Sequence, residues 1–202
     1  MPATDPSPPP PTGTRGQRTR ARILAAGATV FAERGYHAAR VDDIVAAADS
    51  SHGTFYLYFG SKEDLFDQLI ADAAVEIAAL VDELPKVTNS DRGRAELRAW
   101  LDRFADLYER TGDVIRSWTE AELSNDGVGR RGNDALGSLV TALMEQIRIP
   151  KRLGLDPALT SLALVTMCER FNYYATTGQV QVSRDELLTT LVDIIDAAIF
   201  AP

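Results

Sequence analysis

Residues 51–59 combine side chains that can hydrogen-bond to DNA with two phenylalanines that cannot. At about 100° per residue, Phe55 and Phe59 share one face of a helix, which predicts that they anchor the segment to a core. The opposite face centres on Gly53 and Leu57, with Thr54 beside them. Glycine lets a backbone approach a duplex closely, threonine offers a hydroxyl and a methyl to a base edge, and leucine offers apolar contact. This face is therefore predicted to contact base edges in DNA.

The residues around this face have the reach to bind the DNA backbone. Tyr56 and Tyr58 carry hydroxyls that can bond to phosphates, and Ser51 stands where it can cap the free N–H groups of the helix. His52, in the first turn, could reach a phosphate or a base. The plainer alternatives stay open, namely that the tyrosines are half-buried aromatics and that His52 is a solvated surface residue.

Basic residues stand before and after the segment. Lys62 lies at the predicted start of the following helix, beside free N–H groups that attract phosphate, and Arg40 lies at the start of the preceding one. Arg15, Arg18 and Arg20 precede or open the first helix and could reach the flanking backbone or the minor groove. Lys62 could instead simply be solvated.

Three predicted helices position these residues. Apolar periodicity predicts helices over 17–34, 41–48 and 52–58, with Gly35 ending the first and Asp49-Ser50-Ser51 separating the other two. Two short helices joined by a three-residue turn form a helix-turn-helix when a third helix covers their apolar side. The first helix is predicted to provide that cover.

The rest of the chain is also predicted to be helical, which makes the fold class all-α. A fourth helix begins at a capping box, Ser61-Lys62-Glu63-Asp64, and runs to about Leu84. Asp156-Pro157 and Ser183-Arg184-Asp185-Glu186 are further helix-start signals. Five more helices are predicted near 92–110, 113–123, 126–152, 157–177 and 183–200.

Composition divides the chain into three segments. Six of the first fourteen residues are prolines, so residues 1–16 are predicted to be a disordered tail, followed by a helix-turn-helix domain over 17–62 and a C-terminal domain over 63–202. The net charge of -8 is uneven. Residues 1–62 hold seven Lys/Arg against five Asp/Glu, whereas residues 63–202 hold fourteen against twenty-four. A basic head on an acidic body favours a DNA-binding segment at the N-terminal end.

The cellular compartment is predicted to be the cytoplasm. The single cysteine, Cys168, cannot form an internal disulfide, which is typical of a reducing compartment. No stretch approaches the roughly 20 apolar residues of a membrane span, and no apolar run resembles a signal peptide.

Residues 17–66 resemble the DNA-binding domain of the TetR family of transcriptional regulators. The matching runs are Phe31-Ala32-Glu33-Arg34-Gly35-Tyr36, Val41-Asp42-Asp43-Ile44, Gly53-Thr54-Phe55-Tyr56-Leu57-Tyr58-Phe59 and Ser61-Lys62-Glu63-Asp64-Leu65. The resemblance implies about nine helices, a dimer formed by the last two, and a ligand cavity in the C-terminal domain.

The chain departs from the family pattern in and around the turn. The family usually has glycine at Asp49, a small apolar residue at Ser50, lysine at His52, and serine or threonine at Ala39 and Arg40. Aspartate tolerates the left-handed conformation that such a turn needs. The histidine removes a permanent phosphate-binding charge, and Arg40 removes a helix cap but adds a cation.

The dimer is predicted to form through helices 157–177 and 183–200. The last helix has an apolar face that is broad for a helix covering a small core, which favours a four-helix bundle with the partner copy. The residues of this face are Leu187, Leu188, Leu191, Ile194, Ile195, Ala198 and Ile199. The alternative is that this helix is buried only within its own subunit.

The C-terminal domain contains residue types suited to an apolar ligand pocket. The candidate lining residues are Trp100, Phe104, Tyr108, Trp118, Met144, Phe171 and Tyr174, with Arg116, Glu120 or Asn172 as orienting polar groups. Aromatics at helical spacing are more often core residues, so that reading stays open.

These observations predict a homodimeric regulator that binds palindromic double-stranded DNA, most simply a repressor released by a small, largely apolar effector. Helix four is the predicted lever between the effector pocket and the DNA-binding head. An enzyme is disfavoured, because His37 and His52 are the only histidines and no catalytic or phosphate-binding motif is present. No cofactor or metal is predicted. An activator, or an architectural or recruitment factor without a ligand, is the alternative.

Overall fold

The computed structural model describes residues 13–122, 137–142, 144, 145 and 154–200, and these fold into eight helices without a strand. The helices are α1 (Thr14–Arg34), α2 (Val41–Ala47), α3 (His52–Tyr58), α4 (Lys62–Asp82), α5 (Asp91–Glu122), α6 (helical residues within 137–145), α7 (Pro157–Thr176) and α8 (Arg184–Phe200). The predicted all-α class is confirmed. The proline-rich tail, predicted over 1–16, lies outside the described residues up to position 12, and α1 already begins at Thr14.

The chain divides into two compact units. The first contains residues up to Ala73 together with 113–132, and the second contains 74–112 and the residues from 133 onward. Both α4 and α5 contribute to each unit, so neither unit is one continuous stretch of chain. The predicted domain boundary after residue 62 falls inside the first unit.

The core of the first unit joins α1 to α4 with the end of α5. Its largest fully buried side chains are aromatic and aliphatic, and they come from all four N-terminal helices: Ile23, Phe31, Ile44, Phe55, Leu65 and Phe66. Val114 and Ala121 of α5 belong to the same core, with Trp118 packed against it. The first helix does cover the two short ones, as predicted, but α5 completes the cover.

Helix α5 corrects one prediction. Two helices were expected, over 92–110 and 113–123, whereas α5 is a single helix of 32 residues that continues through Gly112. A glycine inside a helix costs only about 1 kcal/mol, and Leu107 and Val114 on either side of it are both buried. The Thr111 hydroxyl donates to the carbonyl of Leu107 at 2.9 Å and so stays within the helix. Packing therefore outweighs the local break signal.

The predicted helix starts are confirmed. The Asp156 carboxylate accepts from the N–H of Leu159 at 2.9 Å, with Pro157 in the first turn. At α8, Ser183 Oγ accepts from the N–H of Glu186 at 3.2 Å, and the Glu186 carboxylate accepts from the N–H of Ser183 at 2.9 Å. These reciprocal bonds satisfy two of the donors that a helix start leaves open. The Ser183 hydroxyl, which donates to the Glu186 carboxylate at 2.7 Å, and the Ser183 N–H lower the pKa of the Glu186 carboxyl below its ordinary value.

The apolar face of α8 corrects a second prediction. This face was expected to need a partner copy for burial, but Leu187, Leu188, Leu191, Ile195 and Ile199 are buried in the core of their own unit. Side chains of α7 and of the first part of α5 belong to the same core, so most of the apolar residues of α8 are buried within one chain.

Three arginines connect α8 to α5 at the rim of this contact. Arg94 pairs with Asp193 and, at 2.7 Å, with Asp196, and Arg98 pairs with Asp185 at 2.6 Å. The third is Arg184, which contacts three carboxylates, those of Asp102, Asp106 and Glu109. Such partly exposed pairs orient the helices more than they stabilise them.

Most of the helix predicted over 126–152 lies outside the described residues. Positions 137–142, 144 and 145 are helical where they are described. Among the helices that the structure describes, none combines the length and the hydropathy required to cross a bilayer.

Candidate nucleic-acid interface

Helix α3 presents two chemically different faces. Phe55 and Phe59 are 0% and 2% exposed, respectively, and their ring centroids lie 5.8 Å apart in the core of the first unit. On the other side His52 and Gly53 are exposed, and Tyr56 is 53% exposed. The predicted anchoring role of the phenylalanines is confirmed, and their burial leaves the polar side of α3 facing outward. Leu57 and Tyr58 are half-buried.

The turn before α3 depends on Asp49. This residue has φ of 43°, the only positive φ among the non-glycine residues that the structure describes. Aspartate is one of the few side chains that adopt this conformation at low cost. Arg22 of α1 donates to the Asp49 carbonyl at 3.4 Å, a contact that the sequence reasoning did not anticipate.

Ser51 and Thr54 are bonded to each other at the start of α3. Ser51 Oγ accepts from the Thr54 N–H at 3.1 Å, which confirms the predicted cap. The two hydroxyl oxygens also lie 2.9 Å apart. The Thr54 hydroxyl is therefore held in one place, as a group that reads a base edge needs to be.

Gly53 faces open space. A Cβ built at this position would meet only one atom within 4 Å, Ser51 Oγ at 3.9 Å. Packing inside the protein therefore gives no reason for glycine here. Close approach by an external partner gives one, because a missing side chain lets another backbone come nearer.

His52 is held at two points. Its Nε2 lies 2.7 Å from the Asp42 carboxylate of α2. The imidazole also stacks on the Tyr56 ring, with the centroids 6.4 Å apart and the planes at 27°. His52 and Tyr56 were each predicted to contact DNA. The contact with Asp42 was not predicted, because nothing in the local sequence indicates it.

Lys62 has a different environment from the one predicted. Its Nζ donates to the carbonyls of Tyr36 and Ala39, at 2.8 and 3.1 Å, and lies 4.5 Å from the centroid of the Tyr36 ring. An ammonium has three donors, so two of them are used within the protein. Lys62 therefore holds the loop between α1 and α2, and its contact with a DNA phosphate stays a prediction.

The predicted arginine contacts differ in their surroundings. Arg15, Arg18 and Arg40 are exposed. Arg20 is half-buried, with its guanidinium 5.3 Å from the centroid of the Phe59 ring. The Arg40 side chain does not cap α2, and the Asp43 carboxylate instead accepts from the Arg40 N–H at 3.1 Å. The first two exposed arginines lie at the start of α1, and Arg40 lies at the start of α2.

The second unit contains a small cavity. Its volume is about 20 Å³, and its lining is entirely apolar, including Trp100 and Phe104 from the predicted ligand set. Tyr108, one turn after Phe104 on α5, is also buried but does not line the cavity. Its hydroxyl donates to the Glu169 carboxylate at 2.7 Å. Cys168 also lines the cavity, and burial raises the pKa of its thiol to about 12.

The other candidate ligand residues do not line this cavity. Trp118 packs against the core of the first unit, while Met144, Phe171 and Tyr174 are exposed on α6 and α7. Of the polar candidates, Arg116 pairs with Asp113 at 2.5 Å, and the Asn172 amide donates to the Cys168 carbonyl at 2.8 Å. The carboxylate of Glu120 lies beside Gly35 in the first unit.

Comparisons with known proteins agree with this architecture. The family model described as "Bacterial regulatory proteins, tetR family" matches residues 23–69. The regulator YdgC of Bacillus subtilis is 41% identical over 71 residues, which cover 35% of this chain and 36% of YdgC. The repressor SCO4008 of Streptomyces coelicolor is 28% identical over 100 residues, which cover 50% of this chain and 47% of the repressor. The matched region thus spans less than half of each relative.

The fold is similar over a longer stretch. The solved structure of GusR from Salmonella enterica superposes with a TM-score of 0.64 at 21% identity, over 90% of this chain and 95% of GusR. Residues 23–69 therefore match the TetR-family DNA-binding domain, and the fold of the chain is similar to that of solved TetR-family regulators. Its relatives are transcriptional regulators rather than enzymes.

Proposed function

We propose that this protein binds double-stranded DNA as a homodimer and regulates transcription, as a repressor that a small, largely apolar molecule releases. The observation that carries the proposal is that the polar face of α3 points outward, because Phe55 and Phe59 on the opposite face are buried. Thr54, Gly53 and Leu57 contact base edges, and Ser51, His52, Tyr56 and Tyr58 contact the flanking backbone or bases. Arg18, Arg40 and Lys62 contact phosphates.

A dimer supplies the contact area that one short helix lacks. Two recognition helices about 34–36 Å apart, or at a related spacing, match an inverted repeat in successive major grooves. Support comes from α7, where Leu159, Leu162, Phe171 and Tyr174 are exposed, and from Ile194 on α8. We propose these exposed side chains of α7 and α8 as the dimer contact, in place of the α8 face that is buried within the chain.

Effector binding at the apolar cavity of the second unit requires that cavity to expand. The cavity of about 20 Å³ admits roughly one water molecule, whereas ligand pockets are typically about 300–1,000 Å³. An apolar effector that enters beside Trp100 and Phe104 favours an expanded conformation. It weakens DNA binding to the extent that it prefers that conformation. Because α4 and α5 supply residues to both units, either helix can carry the change. A regulator of transcription acts at the chromosome, so the cytoplasm is its compartment.

Gly53→Ala tests the DNA contact without disturbing the fold. An added methyl meets open space within the protein and improves helix propensity, so the free energy of unfolding should stay constant or rise. Affinity for DNA selected from a random pool should nevertheless fall about tenfold or more, because the methyl separates the two surfaces. The matched control is Gly137→Ala on α6, where a Cβ also meets nothing within 4 Å. Equal affinity of both variants for the selected DNA would contradict the proposal.

An activator, or an architectural or recruitment factor without an effector, is the second candidate. The small volume of the apolar cavity beside Trp100 and Phe104 favours it. Melting-temperature shifts with a library of apolar metabolites distinguish the two candidates. A compound that shifts the melting temperature and also releases bound DNA favours the effector-controlled repressor.

A further inference from the structure

The imidazole of His52 is held in a defined orientation on the outward face of α3. The Asp42 carboxylate lies at one ring nitrogen, Nε2, and Tyr56 stacks on the ring face. Within the residues that the structure describes, no hydrogen bond occupies the other nitrogen, Nδ1. An exposed histidine that served only to solvate the surface would need neither of these contacts.

The contact at Nε2 determines what Nδ1 can do. A carboxylate is an acceptor, so Nε2 carries the proton that points to Asp42. In the neutral ring Nδ1 is then an acceptor, and in the protonated ring it is a donor with a positive charge. The Asp42–His52 pair also changes from a net charge of -1 to zero on protonation, which removes a repulsion from the DNA phosphates.

We infer that the Asp42–His52 pair makes DNA binding by this protein pH-dependent, with the protonated His52 donating from Nδ1 to an acceptor on the DNA. This inference rests on the proposed function. The acceptor is either a phosphate oxygen or the N7 or O6 edge of a guanine, and both accept charge-assisted hydrogen bonds. Affinity therefore rises as the pH falls.

Few other groups near His52 could produce a pH-dependent contact with DNA. The charged and titratable side chains in contact with the His52 ring, among the described residues, are Asp42 from α2 and Tyr56 from α3. The chain has only one other histidine, His37, whose ring lies edge-on to Tyr36 at 5.2 Å. Single variants of His52 and of His37 therefore distinguish the contributions of the two histidines in the chain.

The test measures affinity for one selected DNA duplex between pH 5.5 and 8.0 at constant ionic strength. The parent protein should bind roughly tenfold more tightly at pH 5.5 than at pH 8.0, the effect expected of one hydrogen bond to a charged group. His52→Gln cannot gain a proton and should show no such change. His37→Gln, the matched control, should keep the full pH dependence. Circular dichroism melts at both pH limits verify that every variant is folded.

Two further measurements identify the acceptor and the role of Asp42. If the acceptor is a guanine, His52→Gln relaxes the base preference at a single position of the selected sequence, and if it is a phosphate the loss is equal for all sequences. Asp42 is a positioning residue, so Asp42→Ala combined with His52→Gln should lose no more affinity than His52→Gln alone. Additive losses would show that Asp42 does not act through the histidine.

The outcomes separate this inference from the proposed function. A parent protein that binds no selected DNA at either pH overturns both. A parent that binds DNA equally across the pH range, or a His52→Gln variant that keeps the pH dependence, overturns the histidine inference and leaves the regulator proposal intact.

Discussion

Lys62 and Tyr36 contact each other twice. The ammonium of Lys62 donates to the Tyr36 carbonyl at 2.8 Å, and it lies 4.5 Å from the centroid of the Tyr36 ring. Tyr36 itself packs against Phe66, with ring centroids 4.5 Å apart. A residue at the start of α4 thereby holds the loop that leads into α2, and the position of the helix-turn-helix depends on that loop.

Replacing Lys62 by methionine should lower the free energy of unfolding by about 2 kcal/mol, because two backbone carbonyls lose a charged donor. Urea unfolding measures this, with Lys86→Met at an exposed position as control. Because one ammonium donor remains for the proposed phosphate contact, DNA binding by the folded variant should also lose about 0.9 from the log–log salt slope. An unchanged slope would show that Lys62 acts only within the protein.

Asp49 should tolerate glycine but not valine. Its φ of 43° lies in the left-handed region, where a β-branched side chain is strained by about 1–2 kcal/mol. Asp49→Gly should leave the unfolding free energy nearly unchanged, and Asp49→Val should lower it by that amount. The Arg22 contact is made to the backbone carbonyl, so it is available in both variants. Equal stabilities of the two variants would show that the turn can adopt another conformation.

Ser161→Ala should stabilise the protein by about 1 kcal/mol. Ser161 is completely buried on α7, and its hydroxyl has no hydrogen-bond partner in the part of the chain that the structure describes. An unsatisfied buried hydroxyl costs about 1–3 kcal/mol, and alanine removes this cost. Thr111→Val, which removes a buried hydroxyl that is bonded to the Leu107 carbonyl, should bring no such gain. Thermal or urea unfolding of the parent, Ser161→Ala and Thr111→Val measures these differences in unfolding free energy.

Glu63 should contribute to acid sensitivity. Its pKa is lowered from 4.5, first by a hydrogen bond from its own backbone N–H and further by Ser61, Lys62 and Tyr36. A lowered folded-state pKa gives stability that is present above the ordinary pKa and is lost as the pH falls through the lowered value. Glu63→Gln should therefore be less stable than the parent at pH 7, with the difference shrinking below about pH 4.5. A difference that stays constant down to pH 3 would argue against this linkage.

Local signals predicted the head of the molecule well. The C-terminal end of α1, the start of α2, both ends of α3 and the Ser51 cap all follow from residues within a few positions of each other. Such features depend on backbone geometry and on hydrogen bonds between near neighbours, which a sequence displays directly. The burial of Phe55 and Phe59 also follows from their spacing.

Features that depend on distant packing were not predictable in this way. A break was predicted between residues 110 and 113, but the burial of Leu107 and Val114 on either side of it keeps α5 continuous. Lys62 looked like a free cation, although its partners Tyr36 and Ala39 are more than twenty positions away. The apolar face of α8 looked unpaired because the core that buries it combines α7 with α5, and α5 begins some ninety positions earlier in the chain.

The continuity of α5 limits how this protein can be divided or recombined. A fragment ending at residue 73 would lack Val114, Trp118 and Ala121, and it would expose the side of its core that they cover. A chimera that borrows this DNA-reading head must also borrow the tail of α5, although that tail lies about forty residues further along. The genetic unit of exchange in this chain is therefore larger than the stretch of sequence by which its family is identified.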